Sequence, residues 1–303
     1  MPTLFELFCF ILLVIETLTG MVGNGFIAIV NYIDWHRSRK LSPVDMILSL
    51  LGLFRFPFHA VLIQVAIINV FFVDTFQKMN VYIAYNALWL FLNTPSLWFA
   101  AWLSVLYCVK IANCSHPLFL QMKRRFPGLV PWLLLGSVVF SAITTTVAIT
   151  GSIILSKCNP FESHLNNKND SAINTTSSCN IFYFFYLLPN FFPFVVFFFS
   201  SIFLLTSLWR HKNLQQNSVR DVSTEAHLNA IKALASFCIL YISHFCVEIL
   251  DTFMFWRDIK CAWIYIIAFN VIVAYSSGHA IILIFMNPKL KQESVRLLHW
   301  LKC

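Results

Sequence analysis

The chain carries seven long, nearly uncharged runs of apolar residues, at about residues 7–32, 44–68, 81–109, 129–155, 181–208, 231–254 and 262–286. Each is close to the ~20 residues a helix needs to cross ~30 Å of hydrocarbon. The runs are continuous rather than alternating, and in hydrocarbon a helix satisfies all of its own backbone polar groups. The composition agrees: 59% of residues are hydrophobic and only 11% charged, against roughly 25% charged in soluble domains. The expected fold is therefore all-α, a single seven-transmembrane helix bundle over residues 1–303. The first run is not preceded by a basic segment and no small-residue cleavage site follows it, so it reads as an uncleaved first span.

The basic residues orient the bundle. Fifteen of the 21 Lys and Arg residues fall after spans one, three, five and seven, five fall on the other side, and Arg55 lies inside span two. Positive charge marks the cytosolic side, so the N-terminus is expected outside and the C-terminus in the cytosol. The net charge of +8 then belongs to a cytosolic face suited to anionic headgroups and acidic partner surfaces, and does not imply nucleic acid. Asn113-Cys114-Ser115 has the form of a glycosylation acceptor but lies on that cytosolic side, where it is a chance match. The polar loop after span four offers better acceptors at Asn169 and Asn174. Cys158 and Cys179 share this loop, in a compartment where a disulfide is allowed. No His/Cys spacing matches a metal site, and no cofactor motif is present.

Five motifs stand at the ends of these spans: "GNGFIAIVNYIDW" from Gly23, "KIANCSHPLFLQMKRR" from Lys110, "SLWRHKNLQQN" from Ser207, "EAHLNAIKALASFCILY" from Glu225 and "GHAIILIFMNPKLKQ" from Gly278. In this order they resemble the bitter taste receptors, the taste receptor type 2 family of G-protein-coupled receptors, over essentially the whole chain. Span three lacks Asp-Arg-Tyr and an outer cysteine, and span seven lacks Asn-Pro-x-x-Tyr, all in keeping with that resemblance. Span seven departs from the family in reading "SSGHA", with Ser276 where proline is usual and Ala280 where serine is usual, which leaves the bend of this helix open.

Polar residues inside spans mark functional candidates because burying a charge at mid-bilayer costs at least ~3 kcal/mol. Arg55 must face the bundle interior, with Asn24 of span one or the Ser276–Ser277 region of span seven as partners. His279 and Tyr275 are read the same way, as packing elements or as a switch. On span three Asn86, Trp89 and Asn93 share a helix face, which is a helix interface or a pocket wall. The resemblance favours the pocket, because Trp89 and Asn93 match positions that commonly line the family's cavity. On span six Tyr241, His244, Glu248 and Asp251 share a face. Glu248 either pairs with His244 or meets cationic and hydrogen-bond-donating ligands, while Asp251 meets water at the span end. Phe269, Ala66, Tyr186 and Asn190 complete the expected wall.

The resemblance implies small bitter compounds as ligands, a gustducin-like heterotrimeric G protein as partner and the plasma membrane as location. On the cytosolic side His116, Leu118, Lys123, Arg124, Arg125, His211, Lys212 and His227 are the residues expected to face the G protein or the lipid surface, with Leu118 and Phe119 as an apolar plug. The rival readings are a transporter and an integral membrane enzyme. The first would show repeats or broken helices and the second a clustered set of histidines or carboxylates, neither of which is seen. An opsin is excluded because span seven has no lysine.

Overall fold

The computed structural model describes residues 4–71, 79–111, 117–158, 172–215, 222–256 and 262–302. These form eight helices: α1 Leu4–Ser38, α2 Pro43–Phe71, α3 Met79–Ile111, α4 Pro117–Cys158, α5 Ala172–Gln215, α6 Val222–Trp256, α7 Ala262–Met286 and α8 Pro288–Lys302. The first seven are long and apolar enough to cross a membrane, as the apolar runs predict, and no strand occurs among the described residues.

Helix ends follow local chemistry. Pro43, Pro117 and Pro288 each open a helix, where a missing N–H costs nothing and the fixed φ is already helical. Ser42 caps α2 by accepting from the Asp45 backbone N–H at 3.2 Å and donating to the Asp45 carboxylate at 2.7 Å. Asn287 caps α8 in the same manner, its Oδ1 accepting from the Lys289 N–H at 3.0 Å. Arg39, at φ 55°, ends α1 in the left-handed region.

Three features differ from the sequence reading. Lys123, Arg124 and Arg125 are not on a loop but on the first turns of α4, exposed. Pro127 and Gly128 lie before the expected fourth span, yet the helix runs through them. At 42 residues it is about 63 Å long, twice the hydrocarbon thickness, so its projecting turn tolerates a lost backbone bond. Helix α5 likewise starts at Ala172, which puts the backbone of Asn174 on a helix rather than a loop. The third is α8, which follows α7 after one residue. Its exposed Val295, Leu297, Leu298 and Trp300 lie among bases.

The core sits where α1, α2, α3 and α7 meet. One apolar cluster joins Ile27, Leu48, Leu51, Phe99 and Leu103 to Ala280 and Leu283, and a second joins Leu97, Phe197, Phe237, Tyr241 and Tyr275. Backbones of α1 and α2 touch at Gly52, where a Cβ would lie 2.6 Å from the carbonyl oxygen of Asn24. Small residues are what permit such close packing between membrane helices. At the other end of α1, the Lys289 ammonium donates to Asp34 at 2.6 Å and to Asn31 at 3.0 Å and lies 3.5 Å from Asp45. It thereby ties α8 to α1 and α2.

Prolines are distributed unevenly. Pro57 lies inside α2, Pro95 inside α3, Pro127 and Pro131 inside α4, and Pro189 and Pro193 inside α5. Helices α1, α6 and α7 contain none. Each internal proline frees the carbonyl four residues before it. The one freed by Pro95, on Phe91, accepts from the Ser141 hydroxyl of α4 at 3.4 Å, the kind of rescue that membrane helices require.

Candidate functional site

The residues singled out on spans three, five and six meet in one polar knot. Glu248 of α6 is held by two amides: its Oε1 accepts from Asn93 Nδ2 of α3 at 3.1 Å and from Asn190 Nδ2 of α5 at 3.1 Å. Asn190 in turn accepts from the Thr94 hydroxyl at 3.2 Å. His244 stands one turn back on α6 with Nε2 3.3 Å from the same oxygen, within ion-pair reach but not aligned as a hydrogen bond. The Glu248 side chain is 10% exposed and that of His244 1%. The other carboxylate oxygen, Oε2, is buried with no hydrogen-bond partner among the described residues.

One turn further along α3 from Asn93, Trp89 is half-buried between Phe58 of α2, at 5.1 Å between ring centroids, and Phe269 of α7, at 5.5 Å. Asn86 is half-buried one turn beyond. An aromatic wall therefore adjoins the polar knot. Of the two expectations for Glu248, the geometry shows the approach to His244. Asp251 is exposed.

Tyr241 takes a different position from the one expected. It is fully buried, packed against Phe194, Phe197, Phe237 and Tyr275 at 4.4–6.2 Å, and its hydroxyl has no partner among the described residues. It belongs to the aromatic core beneath the knot rather than to an open wall. The reason is geometric: aromatic rings of α5 and α7 close over this turn of α6, and polar side chains replace them further along, from His244 to Glu248.

Below the knot lies the Arg55 network, with partners other than those expected. The buried guanidinium donates to Tyr275 Oη at 2.9 Å and to His279 Nδ1 at 2.7 Å. An arginine can only donate, so Nδ1 accepts and a neutral His279 ring carries its proton on Nε2. Phe237 stacks on that ring at 3.5 Å. Asn24 does not reach Arg55: its amide donates to the Gly20 carbonyl at 2.8 Å within α1. Ser276 pairs instead with His59 at 3.0 Å, and Ser277 donates to the Glu16 backbone carbonyl at 2.7 Å. His59 was missed in the sequence, where it reads as one more residue of an apolar span; its i+4 spacing from Arg55 was the available signal. The knot and the network are joined by rings, because His244 stacks on Tyr275 at 4.6 Å.

On the cytosolic candidates, Lys123, Arg124 and Arg125 are exposed. Phe119 is no free plug, since it packs against Cys108, Leu204 and Leu208 in a cluster between α3 and α5. His116 and Asn169 lie outside the described residues. So do the side chains of Leu118, His211, Lys212, His227, Asn174, Cys158 and Cys179, though their backbones are helical.

A seven-helix bundle with a polar knot among its helices is shared by many receptors, so the decision rests on comparison. The family model described as taste receptor protein (TAS2R) matches residues 1–302. The chain belongs to the taste receptor type 2 family. Among its taste receptor relatives, taste receptor type 2 member 8 of Pongo pygmaeus is 36% identical, covering 96% of this chain and 95% of its own. Taste receptor type 2 member 40 of Gallus gallus is 34% identical, covering 99% and 97%. Human taste receptor type 2 member 2 is 34% identical, covering 93% of each. As a taste receptor type 2 protein the chain is a multi-pass membrane receptor and not an enzyme.

Proposed function

We propose that this receptor sits in the plasma membrane with its N-terminus outside. On this reading it binds small bitter compounds in the outer half of the bundle and activates a gustducin-like G protein at its cytosolic face. The observation that carries the ligand site is the junction at Glu248, where one carboxylate ties α3, α5 and α6 together beside the Trp89 wall. A small molecule there gains aromatic surface and one or two polar anchors, the usual makeup of a ligand pocket. It also competes for the bonds that hold three helices in place. Because His244 links Glu248 to Tyr275 and so to Arg55, such competition reaches the network below without a further moving part. The exposed bases of α4 suit an acidic partner surface and anionic lipid.

The ligand reading predicts a specific pattern in cells supplied with a matching G protein. Trp89→Ala removes a stacking surface and Asn93→Ala removes a donor to Glu248, so both raise agonist EC50 about tenfold or more. Neither should change surface level in the same proportion. Ligand-evoked calcium release, normalised to surface receptor, measures this; a loss of response matched by loss of surface protein would count for helix packing alone.

Orientation has its own test. Glycosidase digestion is expected to shift the mobility of the expressed protein, Asn169→Gln together with Asn174→Gln to abolish that shift, and Asn113→Gln to leave it intact. A shift that survives the double substitution reverses the proposed topology.

A further inference from the structure

We propose that Glu248 is an anchor for protonated amines, and that it takes a single ammonium N–H rather than a bidentate guanidinium. The inference deepens the ligand reading above and rests on it. Its basis is the unequal treatment of the two carboxylate oxygens. Oε1 already accepts from both Asn93 and Asn190 at 3.1 Å, with His244 Nε2 a further 3.3 Å neighbour. Oε2 is buried and has no hydrogen-bond partner among the described residues. Among the described residues no lysine or arginine lies within ion-pairing distance of this carboxylate.

A buried acceptor left without a donor is costly, so a ligand that brings a donor to Oε2 recovers what the folded receptor forgoes. A charged donor recovers more than a neutral one, because charge-assisted hydrogen bonds are roughly twice as strong. A guanidinium is suited less well. Its fork needs both oxygens side by side, and two amides already occupy the lone pairs of Oε1.

The surroundings limit the ligand's shape. Trp89 precedes Asn93 by four residues on α3, a rise of about 6 Å, and Asn93 touches Glu248 directly. An amine joined to an aromatic ring by a few methylenes spans that interval, with its ring against Trp89 and Phe269 and its ammonium at Oε2. The class is therefore arylalkylamines.

The test uses full-length receptor purified in detergent and three probes with one skeleton: 4-phenylbutylamine, 4-phenylbutanol and 4-phenylbutylguanidine, titrated at neutral pH by thermal stabilisation. On the unaltered receptor the amine is expected to bind about 10- to 150-fold more tightly than the alcohol, and more tightly than the guanidine. Glu248→Gln keeps an acceptor for the two amides while removing the charge. It should erase the amine's advantage and leave the alcohol within a few-fold.

Equal affinity of amine and alcohol for the unaltered receptor overturns the proposal, and this arm needs no variant to fold. Undiminished amine affinity in Glu248→Gln overturns it as well. A guanidine that binds as well as the amine removes the single-donor geometry. Calcium release read in parallel separates the two levels of inference. Amine binding that depends on Glu248 but evokes no calcium supports the amine site and counts against G-protein signalling. Calcium release without any preference for the amine does the reverse.

Discussion

Replacing Tyr275 by Phe and His279 by Leu in the same chain is expected to abolish most surface expression, whereas adding Arg55→Met to that pair restores much of it. The two substitutions remove both groups that accept from the Arg55 guanidinium. Arg55 is 0% exposed, so its charge would be left in the bundle interior without a partner. Breaking one side of a buried charged interaction costs about 3 to 5 kcal/mol, while replacing the whole assembly by apolar side chains of similar volume is often close to neutral. The sign of the third substitution is thus the informative quantity. Surface labelling and thermal melting of the solubilised receptor measure it in the single, double and triple variants. If Arg55→Met makes the double variant worse, the guanidinium finds other acceptors and the network is not its principal support.

A second large effect is expected at Gly52. The added methyl of Gly52→Ala would meet the carbonyl oxygen of Asn24 at 2.6 Å and the backbone nitrogen of Ala28 at 3.1 Å. These are backbone atoms of a packed helix, so no side chain can swing aside, and α1 must move away from α2. Overpacking commonly costs about 1 to 3 kcal/mol, and a contact with rigid backbone belongs at the upper end. The matched control is Gly136→Ala on α4, where nothing lies within 4 Å of the new methyl. There the better helix propensity of alanine is worth up to ~1 kcal/mol in the opposite direction. Melting temperatures should therefore move apart: down by several degrees for Gly52→Ala, unchanged or up for Gly136→Ala. Equal melting temperatures would mean that the α1–α2 contact is looser than this geometry.

Much of this architecture was legible in the sequence, because apolar run length is a one-dimensional property. The seven membrane-spanning helices follow from it, and so does the inward position of Arg55, whose charge excludes lipid. The shared face of Asn86, Trp89 and Asn93 follows from spacing within one helix. Partner choice across helices was not legible. Arg55 pairs with Tyr275 and His279 rather than with Asn24, a result set by how α2 and α7 are rotated about their axes. Asn190 was only a minor candidate, yet it supplies half of the amide support for Glu248. Tyr241 has the right helical phase for a wall but lies about two turns from Glu248, buried in the aromatic core. Helix α8 escaped notice because its apolar residues are interleaved with bases, which lowers its hydropathy even though they gather on one side of a helix.

The placement of prolines bears on how force would travel through the bundle. A helix that keeps every backbone N–H is a stiff rod; one that has lost a hydrogen bond to proline is softer at that turn. Helices α1, α6 and α7 keep theirs and pack as a continuous arc, α1 against α7 and α7 against α6. The compliant helices α2 to α5 form the other arc. Among the described residues four side chains of the compliant arc make polar ties to the stiff one from beside a soft turn: Arg55 is two residues before Pro57 and His59 two after it, Asn93 is two before Pro95, and Asn190 immediately follows Pro189. Strain applied at Glu248 would thus be absorbed by flexure at Pro95 and Pro189, and α6 and α7 would pivot as levers of nearly fixed shape.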